Sequence, residues 1–176
     1  EMSDAAGTSW LDVGARAWSD ELLEATGLQR AHMPDLVEGS EPSGMLRRDL
    51  AARWGMRADV VIAGGGGDNA ASAIGVGVAR SGEAFVSLGT SGVLFAASDA
   101  YQPDPASAVH SFCHAVPQTW HQMGVILAAS DALSWFGRVL GTAPEDMTSG
   151  LGPLQAPSAT LFLPYLGGER TPHNDA

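Results

Sequence analysis

A glycine-rich segment followed by an acidic and an amide residue is the strongest chemical signal in the sequence. It reads GGGGDNAASAIG at residues 64–75 and follows VVIA at 60–63, an apolar, β-branched run that predicts a buried strand ending in a tight turn. Glycines after a strand let backbone approach a ligand closely, and a helix start behind them offers free N–H groups. Asp68 could there accept a proton from a substrate hydroxyl. It could equally cap a helix beginning at Asn69, because Asp is a preferred N-cap residue.

The second signal is the loop Gly89-Thr90-Ser91-Gly92, which lies between the apolar runs AFVSL and VLFAAS. Successive N–H groups in such a loop can form a concave anion site, and the two hydroxyls add donors. The alternative is a plain hairpin turn with solvated hydroxyls, and the loop taken alone favours that alternative.

Other phosphate and nucleophile motifs match less well. A P-loop requires a lysine, and none follows the glycines. The dinucleotide pattern G-x-G-x-x-A fits Gly65, Gly67 and Ala70 loosely, but Glu83 precedes the next strand instead of ending it. A serine-hydrolase elbow around Ser91 would need glycine where Val93 stands.

The histidines do not predict a metal centre. His110 and His114 fall on a predicted strand, where a spacing of four residues separates them by about 13 Å. We therefore expect packed or solvated histidines. The single cysteine, Cys113, excludes an internal disulfide, is consistent with a reducing compartment and is expected to be a small buried side chain. The tryptophans and Met123 are expected in the core.

Composition sets the protein class. The chain has 176 residues, 45% hydrophobic and 16% charged, as expected of a globular protein with a core. A formal net charge of −11 argues against nucleic acid and anionic membrane partners. No apolar run approaches the ~20 residues of a membrane span, and the first residues show no signal peptide. The first residue is not Met, and we expect the sequence to be part of a longer polypeptide.

The elements that position these residues follow from periodicity. The sequence predicts helices over 10–28, with a second start at Ser19 and a stop at Gly27, and over 129–140. It also predicts a short amphipathic segment at 45–54 and two strand hairpins. The first hairpin is AFVSL, GTSG and VLFAAS, and the second is AVHSFCHAV, PQT and WHQMGVIL. Residues 34–46 are expected to be loop and 142–158 mostly loop, and a buried strand is expected at 160–164. The change of texture after Gly82 predicts a domain boundary there.

Five blocks in order resemble the FGGY family of carbohydrate kinases, in particular its members that phosphorylate D-xylulose. The blocks are SDAAGT at 3–8, GGGGDNAASAIG at 64–75, AFVSLGTSGVLF at 84–95, VHSFCHAVPQTWHQMGVIL at 109–127 and LFLPYLGGERTPHN at 161–174. The resemblance implies an α/β, actin-like ATPase (ribonuclease H-like) fold. It makes residues 1–82 the C-terminal part of the first, sugar-binding domain. Residues 83–176 become the N-terminal part of the second, ATP-binding domain.

By the same resemblance, Asp68 aligns with the catalytic base and Asn69 with a neighbour that helps to hold the sugar. Gly89, Thr90 and Ser91 align with a phosphate loop facing the nucleotide. The implied reaction transfers the γ-phosphoryl group of ATP, with Mg²⁺, to the 5-hydroxyl of D-xylulose. The implied partners are therefore the sugar and ATP, in a cytoplasmic protein for which a homodimer is an allowed assembly.

Ser72 and Gly167 depart from residues that the family often carries, Gly and Ser respectively, but neither is at a catalytic position. Two alternatives remain: an FGGY kinase for glycerol, ribulose or gluconate, and a non-catalytic actin-like nucleotide-binding module. Because the family's first phosphate loop and adenosine pocket lie outside this sequence, we expect the 176 residues alone to be inactive. We expect a hinge near Ser81 and Gly82.

Overall fold

The computed structural model describes residues 1–153, 155–156 and 158–175. Over these residues it contains six α-helices: α1 Met2–Ala5, α2 Asp20–Ala25, α3 Arg48–Arg53, α4 Asp68–Gly75, α5 Ser130–Leu140 and α6 Pro144–Ser149. The same residues form eight strands: β1 Leu11–Asp12, β2 Ala17–Trp18, β3 Pro42–Met45, β4 Val61–Ala63, β5 Ala84–Leu88, β6 Gly92–Ser98, β7 His110–Cys113 and β8 Trp120–Ile126. A single 3₁₀ turn spans Arg30–His32.

The first half of the helix predicted over 10–28 is instead a small hairpin, so that prediction is wrong. Strands β1 and β2 pair antiparallel. Between them, Asp12 Oδ1 accepts a hydrogen bond from the Ala15 N–H at 2.9 Å, and Arg16 has a φ of 56°. These features close a turn that a continuous helix cannot contain. The second start is confirmed, because Ser19 Oγ accepts from the Leu22 N–H as the N-cap of α2.

Strand β4 forms where it was predicted but is not buried. It pairs antiparallel with β3, which lies inside the predicted loop 34–46. Val61 is 54% exposed and Ile62 is 45% exposed. The sheet that β3 and β4 form has only these two strands in the described part of the chain, so its faces stay open to solvent. The amphipathic segment 45–54 contains α3, but Trp54 is 59% exposed and does not join a core.

Both predicted hairpins are confirmed, and they join into one sheet. Its strand order is β5-β6-β8-β7, so each hairpin keeps its two strands as neighbours and β6 meets β8 in the middle. Helix α5 follows β8 and confirms the helix predicted over 129–140. It ends at Gly141, whose φ of 66° is the left-handed conformation that terminates many helices.

After α5, one prediction is confirmed and one is wrong. The described residues of 142–158 are mostly loop, as predicted, and they also contain helix α6, where Pro144 stands at the first turn and its missing N–H costs no hydrogen bond. Leu154 and Pro157 of that predicted loop lie outside the described residues. Residues 160–164 form no strand, and Leu161 is 84% exposed. An apolar run alone does not supply the neighbouring strand that a ladder requires.

The chain divides into two compact units. The first comprises Glu1–Phe85, Phe95–Pro103 and Ser111–Gln122, and the second comprises Val86–Leu94, Asp104–His110 and Met123–Ala176. The boundary predicted near residue 82 stays a prediction. In the first unit a hydrophobic cluster consists of Met2, Ala5, Ala6, Leu11 and Cys113. No helix within the described ranges combines the length and apolarity that crossing a bilayer demands.

Buried histidines and the cysteine belong to the packing of the first unit, as predicted. The His121 ring stacks on Phe95 with ring centroids 4.1 Å apart, and His114 meets the same phenyl ring edge-on at 5.4 Å. Burial lowers the pKa of both imidazoles, that of His121 to about 3. Burial raises the pKa of the Cys113 thiol to about 11, so the side chain is an inert core group at neutral pH. Met123 is buried, as predicted.

Candidate functional site

Asp68 stands at the first turn of α4, directly after the glycine run. The N-cap of this helix is Gly67, so Asp68 does not occupy the capping position that the sequence left open to it. The carboxylate is exposed, and a negative charge in the first turn is favourable near the positive end of the helix dipole.

Asn69 fixes one oxygen of the Asp68 carboxylate. Asp68 Oδ1 accepts hydrogen bonds from the Asn69 backbone N–H at 2.7 Å and from Asn69 Nδ2 at 3.2 Å. Asp68 Oδ2 has no hydrogen-bond partner among the described residues. The structure thus brings the two predicted site residues together and leaves one carboxylate oxygen free to accept a proton or a hydrogen bond from a ligand.

Two of the glycines before Asp68, Gly64 and Gly65, are required by close packing and backbone conformation within the first unit. A Cβ added at Gly64 would lie 2.5 Å from the Glu38 carbonyl oxygen. A Cβ added at Gly39 would lie 2.4 Å from the Gly65 carbonyl oxygen, and Gly65 itself has a φ of 90°. Because backbone atoms cannot yield, these positions exclude any side chain. The loop is therefore held in one path that presents Asp68 to solvent.

Ser3 holds this loop from a distant part of the chain. The Gly67 N–H donates to Ser3 Oγ at 2.9 Å and to Glu1 Oε1 at 3.1 Å. Ser3 is buried, and its hydroxyl donates in turn to Glu1 Oε1 at 2.6 Å. Sequence reasoning noted residues 3–8 only for their resemblance to a family block. No spacing or periodicity links them to the glycine run.

The loop Gly89–Gly92 belongs to the second unit, and its carbonyl groups are held by the start of α5. The Ala129 N–H donates to the Thr90 carbonyl at 2.8 Å, and the Ser130 N–H donates to the Gly89 carbonyl at 3.0 Å. Ser130 Oγ also bonds the Gly89 carbonyl. The first N–H groups of α5 thereby find hydrogen-bond acceptors, and the loop is anchored through its carbonyl oxygens.

The hydroxyl donors of the loop remain available, whereas the Gly89 N–H donates to the Ser91 carbonyl at 2.9 Å. The Thr90 and Ser91 side chains are exposed, and their hydroxyls bond to no residue in the part of the chain that the structure describes. Gly92 is buried at the end of the loop, where an added Cβ would lie 2.8 Å from Ile126 Cγ1. A loop with engaged carbonyls and free hydroxyl donors suits an anion such as phosphate.

A protein metal site is not evident in the described ranges. No group of three or more His, Cys, Asp or Glu side chains is placed there to hold a metal ion. The candidate residues fall in both units: Asp68 and Asn69 belong to the first, and Gly89, Thr90 and Ser91 belong to the second.

Comparison with known proteins identifies the family. Residues 1–75 match the N-terminal domain model of the FGGY family of carbohydrate kinases. Xylulose kinase of Escherichia coli (strain K12) is 51% identical over an alignment of 177 positions, which covers 99% of this chain and 36% of that protein. The chain thus spans about a third of the length of the curated relatives it matches.

Solved structures agree in fold. A crystal structure of a xyloylose kinase from Brucella ovis matches with a TM-score of 0.94 and 64% identity, over 99% of this chain and 36% of that chain. A gluconate kinase from Lactobacillus acidophilus matches with a TM-score of 0.84 and 26% identity, over 99% of this chain and 36% of that one. The predicted resemblance and the predicted actin-like α/β fold are confirmed. The chain belongs, through residues 1–75 by family model and through nearly its whole length by relatives, to the FGGY family of carbohydrate kinases.

Proposed function

We propose that the full-length protein is an ATP-dependent kinase that phosphorylates the 5-hydroxyl of D-xylulose. The observation that carries this proposal is the 51% identity to a xylulose kinase over 99% of the chain. Every candidate residue, from Asp68 to Ser91, lies inside that aligned length. An exposed carboxylate and a donor-rich loop are the two groups that transfer of a phosphoryl group to an alcohol needs.

Asp68 acts in this proposal as the general base. Its free oxygen, Oδ2, would accept the hydrogen bond of the sugar hydroxyl and take its proton late in the transfer. Asn69 keeps the other oxygen occupied, which fixes the carboxylate plane. Such a base contributes about 10²–10⁴ in rate. We propose a contact from Asn69 to the sugar as well.

Gly89, Thr90 and Ser91 form the proposed phosphate loop. The hydroxyl donors of Thr90 and Ser91 would stabilise negative charge on the phosphoryl oxygens during transfer. Mg²⁺ enters as part of the MgATP substrate, because magnesium in kinase sites is held largely by phosphate oxygens and water with few protein carboxylates. The absence of a three-ligand metal cluster in the described residues is compatible with that arrangement.

A kinase for a different polyol is the second candidate. The gluconate kinase of similar fold supports it, since the architecture of these 176 residues also occurs in an enzyme named for a sugar acid. The identity of 26% to that protein, against 51% to the xylulose kinase, favours D-xylulose.

The finer parts of the proposal concern the whole protein. We place the sugar-binding domain in residues 1–82 and the start of the ATP-binding domain in 83–176, with a hinge near Ser81 and Gly82. The 176 residues alone are proposed to be inactive, since a catalytic site made of two halves depends on proximity. A cytoplasmic location and a homodimer complete the proposal.

The test is ADP release by the full-length protein, coupled to an indicator reaction, with MgATP and D-xylulose, glycerol, ribulose or gluconate in turn. The expected result is the highest kcat/KM with D-xylulose. A preference for another polyol would move the substrate and keep the mechanism. A folded protein that binds ATP but shows no sugar-dependent turnover would contradict the proposal and favour a non-catalytic nucleotide-binding module.

A further inference from the structure

Glu169 is a buried carboxylate in the second unit that the proposed mechanism does not use. It is 2% exposed. Its Oε1 accepts hydrogen bonds from the Leu127 N–H at 3.0 Å and from the Arg170 N–H at 2.8 Å. Its Oε2 has no hydrogen-bond partner in the described ranges. Burying a carboxylate is costly unless hydrogen bonds or a paired charge compensate for the lost hydration, and here the two backbone N–H groups supply that compensation at one oxygen.

The segment that carries Glu169 is a closed loop. The Glu169 N–H donates to the Asp175 carbonyl at 2.6 Å, and the Asp175 N–H donates back to the Glu169 carbonyl at 2.9 Å. Inside the loop, the Asn174 N–H donates to the Arg170 carbonyl at 2.6 Å. These backbone bonds hold the base of the Glu169 side chain in place, so its carboxylate can serve as a fixed acceptor.

The group that this acceptor holds is the turn between β8 and α5. Leu127 is the first residue after β8, and only Ala128, which is buried, separates it from Ala129. The N–H groups of Ala129 and Ser130 hold the carbonyls of Thr90 and Gly89. Residues 127–130 therefore form one continuous stretch that connects the Glu169 carboxylate to the backbone of the phosphate loop.

We infer that Glu169 is a positioning residue for the phosphate loop, acting through the β8–α5 turn and not by touching a substrate. The inference rests on the proposed function for its kinetic consequence. The Leu127 N–H lies beyond the end of β8, where no ladder partner satisfies it, and a charged acceptor makes the stronger kind of hydrogen bond there. Without the Glu169 carboxylate, the turn is free to shift. The N–H groups of Ala129 and Ser130, which hold the carbonyls of the loop, then shift with the turn.

Thr171 offers a matched control two residues away. Its Oγ1 accepts from the Val125 N–H at 3.0 Å and donates to the Ala108 carbonyl at 3.1 Å. Thr171 therefore makes two side-chain hydrogen bonds, as many as Glu169 makes, and its bond to β8 lies within the strand and away from the turn. A purely structural role for both residues predicts similar behaviour of E169A and T171V.

The experiment uses the full-length protein and the variants E169A, E169D, E169Q and T171V. Steady-state kinetics give KM for MgATP and for D-xylulose separately. E169A is expected to raise KM for MgATP about tenfold, the effect of losing one charge-assisted hydrogen bond, and to leave KM for D-xylulose unchanged. E169Q keeps an acceptor oxygen for Leu127 and is expected to restore KM for MgATP. T171V is expected to lower the thermal midpoint without changing either KM.

Hydrogen–deuterium exchange of the peptide containing Ala129 and Ser130 supplies a second readout that needs no turnover. Faster exchange in E169A than in T171V supports the inference. Equal exchange in the two, or a KM for MgATP that E169A leaves unchanged, overturns it. If E169A does not fold, E169D is tested by the same two measurements. Aspartate keeps the negative charge, but its shorter side chain draws the acceptor oxygen away from the Leu127 N–H. A wild-type protein without kinase activity would contradict the proposed function, and the exchange comparison would still decide the role of Glu169.

Discussion

The backbone N–H of Gly67 donates a hydrogen bond to the hydroxyl of Ser3 at 2.9 Å, and this contact joins residues 64 positions apart in the chain. Gly67 is the N-cap of α4, and Asp68 is the next residue. The position of the proposed base therefore depends on a side chain in α1. Within the first unit, this hydrogen bond joins the segments SDAAGT and GGGGDN.

Removing the Ser3 hydroxyl tests that dependence. We expect S3A in the full-length protein to lower the free energy of unfolding by about 1 kcal/mol, because a buried hydrogen bond is lost while Glu1 Oε1 remains as a second acceptor. We also expect kcat to fall several-fold as the Asp68 turn loosens. Kinetics and thermal unfolding measure both effects. S72A is the control, since the exposed Ser72 hydroxyl on α4 makes no hydrogen bond within the described residues. Equal kcat values for S3A and S72A would contradict the prediction.

Neutralising the proposed base should abolish most turnover without unfolding the protein. D68N keeps an oxygen that can accept from the Asn69 N–H but cannot take a proton, so we expect kcat to fall by about 10²–10⁴. Coupled ADP release measures kcat, and circular dichroism checks the fold. The exposed Asp99 provides D99N as a control of equal charge change. Full activity in D68N would remove Asp68 from the mechanism.

A side chain at Gly64 should be far more damaging than one at Gly75. The Cβ of G64A would lie 2.5 Å from the Glu38 carbonyl oxygen, whereas the Cβ of G75A meets nothing within 4 Å. We expect G64A to cost about 1–3 kcal/mol of stability by overpacking and to lower kcat by displacing Asp68. G75A, near the end of α4, should be neutral or slightly stabilising. Urea unfolding of both variants decides, and equal midpoints would refute the packing argument.

Burial of His121 predicts a loss of stability in mild acid. Its folded-state pKa, lowered to about 3 chiefly by burial, lies below the ordinary value of 6.5. As the pH falls below 6.5, the unfolded chain takes up a proton that the folded chain refuses. Stability from the neutral ring is therefore complete above pH 6.5 and is lost progressively toward pH 3, by up to about 1.4 kcal/mol per pH unit.

The His121→Phe variant should remove that contribution. Phenylalanine keeps the stacking on Phe95 and has no ring nitrogens, both of which lack partners in the described part of the chain. Urea unfolding at pH 7, 6 and 5 is expected to show a shallower decline for H121F than for wild type. The decline in stability that remains in H121F should include a contribution from His114, because burial also lowers the pKa of that imidazole. Parallel declines in the two proteins would show that His121 does not govern the acid response.

Cys113 should resist alkylation while the protein is folded. With a thiol pKa raised to about 11 by burial, only about one molecule in a thousand carries a thiolate at pH 8. Iodoacetamide treatment followed by peptide mass spectrometry should leave Cys113 unmodified in buffer and modify it fully in denaturant. Rapid modification of Cys113 in the folded protein would place the thiol in an accessible site instead.

Local sequence signals determined the elements that carry the site. The glycine run before Asp68, helix α4, both hairpins of the four-stranded sheet and helix α5 were all predicted, because turn chemistry and apolar periodicity depend on residues close in the chain. The buried cysteine was also predicted, because a lone cysteine is usually a small buried side chain, whereas the histidines were expected only to be packed or solvated. The candidate residues followed from these elements and from the resemblance to one family.

Tertiary structure alone decided which segments meet. The apolar strand β4 is exposed because its partner β3 forms only a two-stranded sheet with it. The bond from Gly67 to Ser3 and the bond from Leu127 to Glu169 join residues 64 and 42 positions apart. Neither leaves a periodic trace in the sequence, because a hydrogen bond between distant residues depends on their distance in space and not on their spacing along the chain.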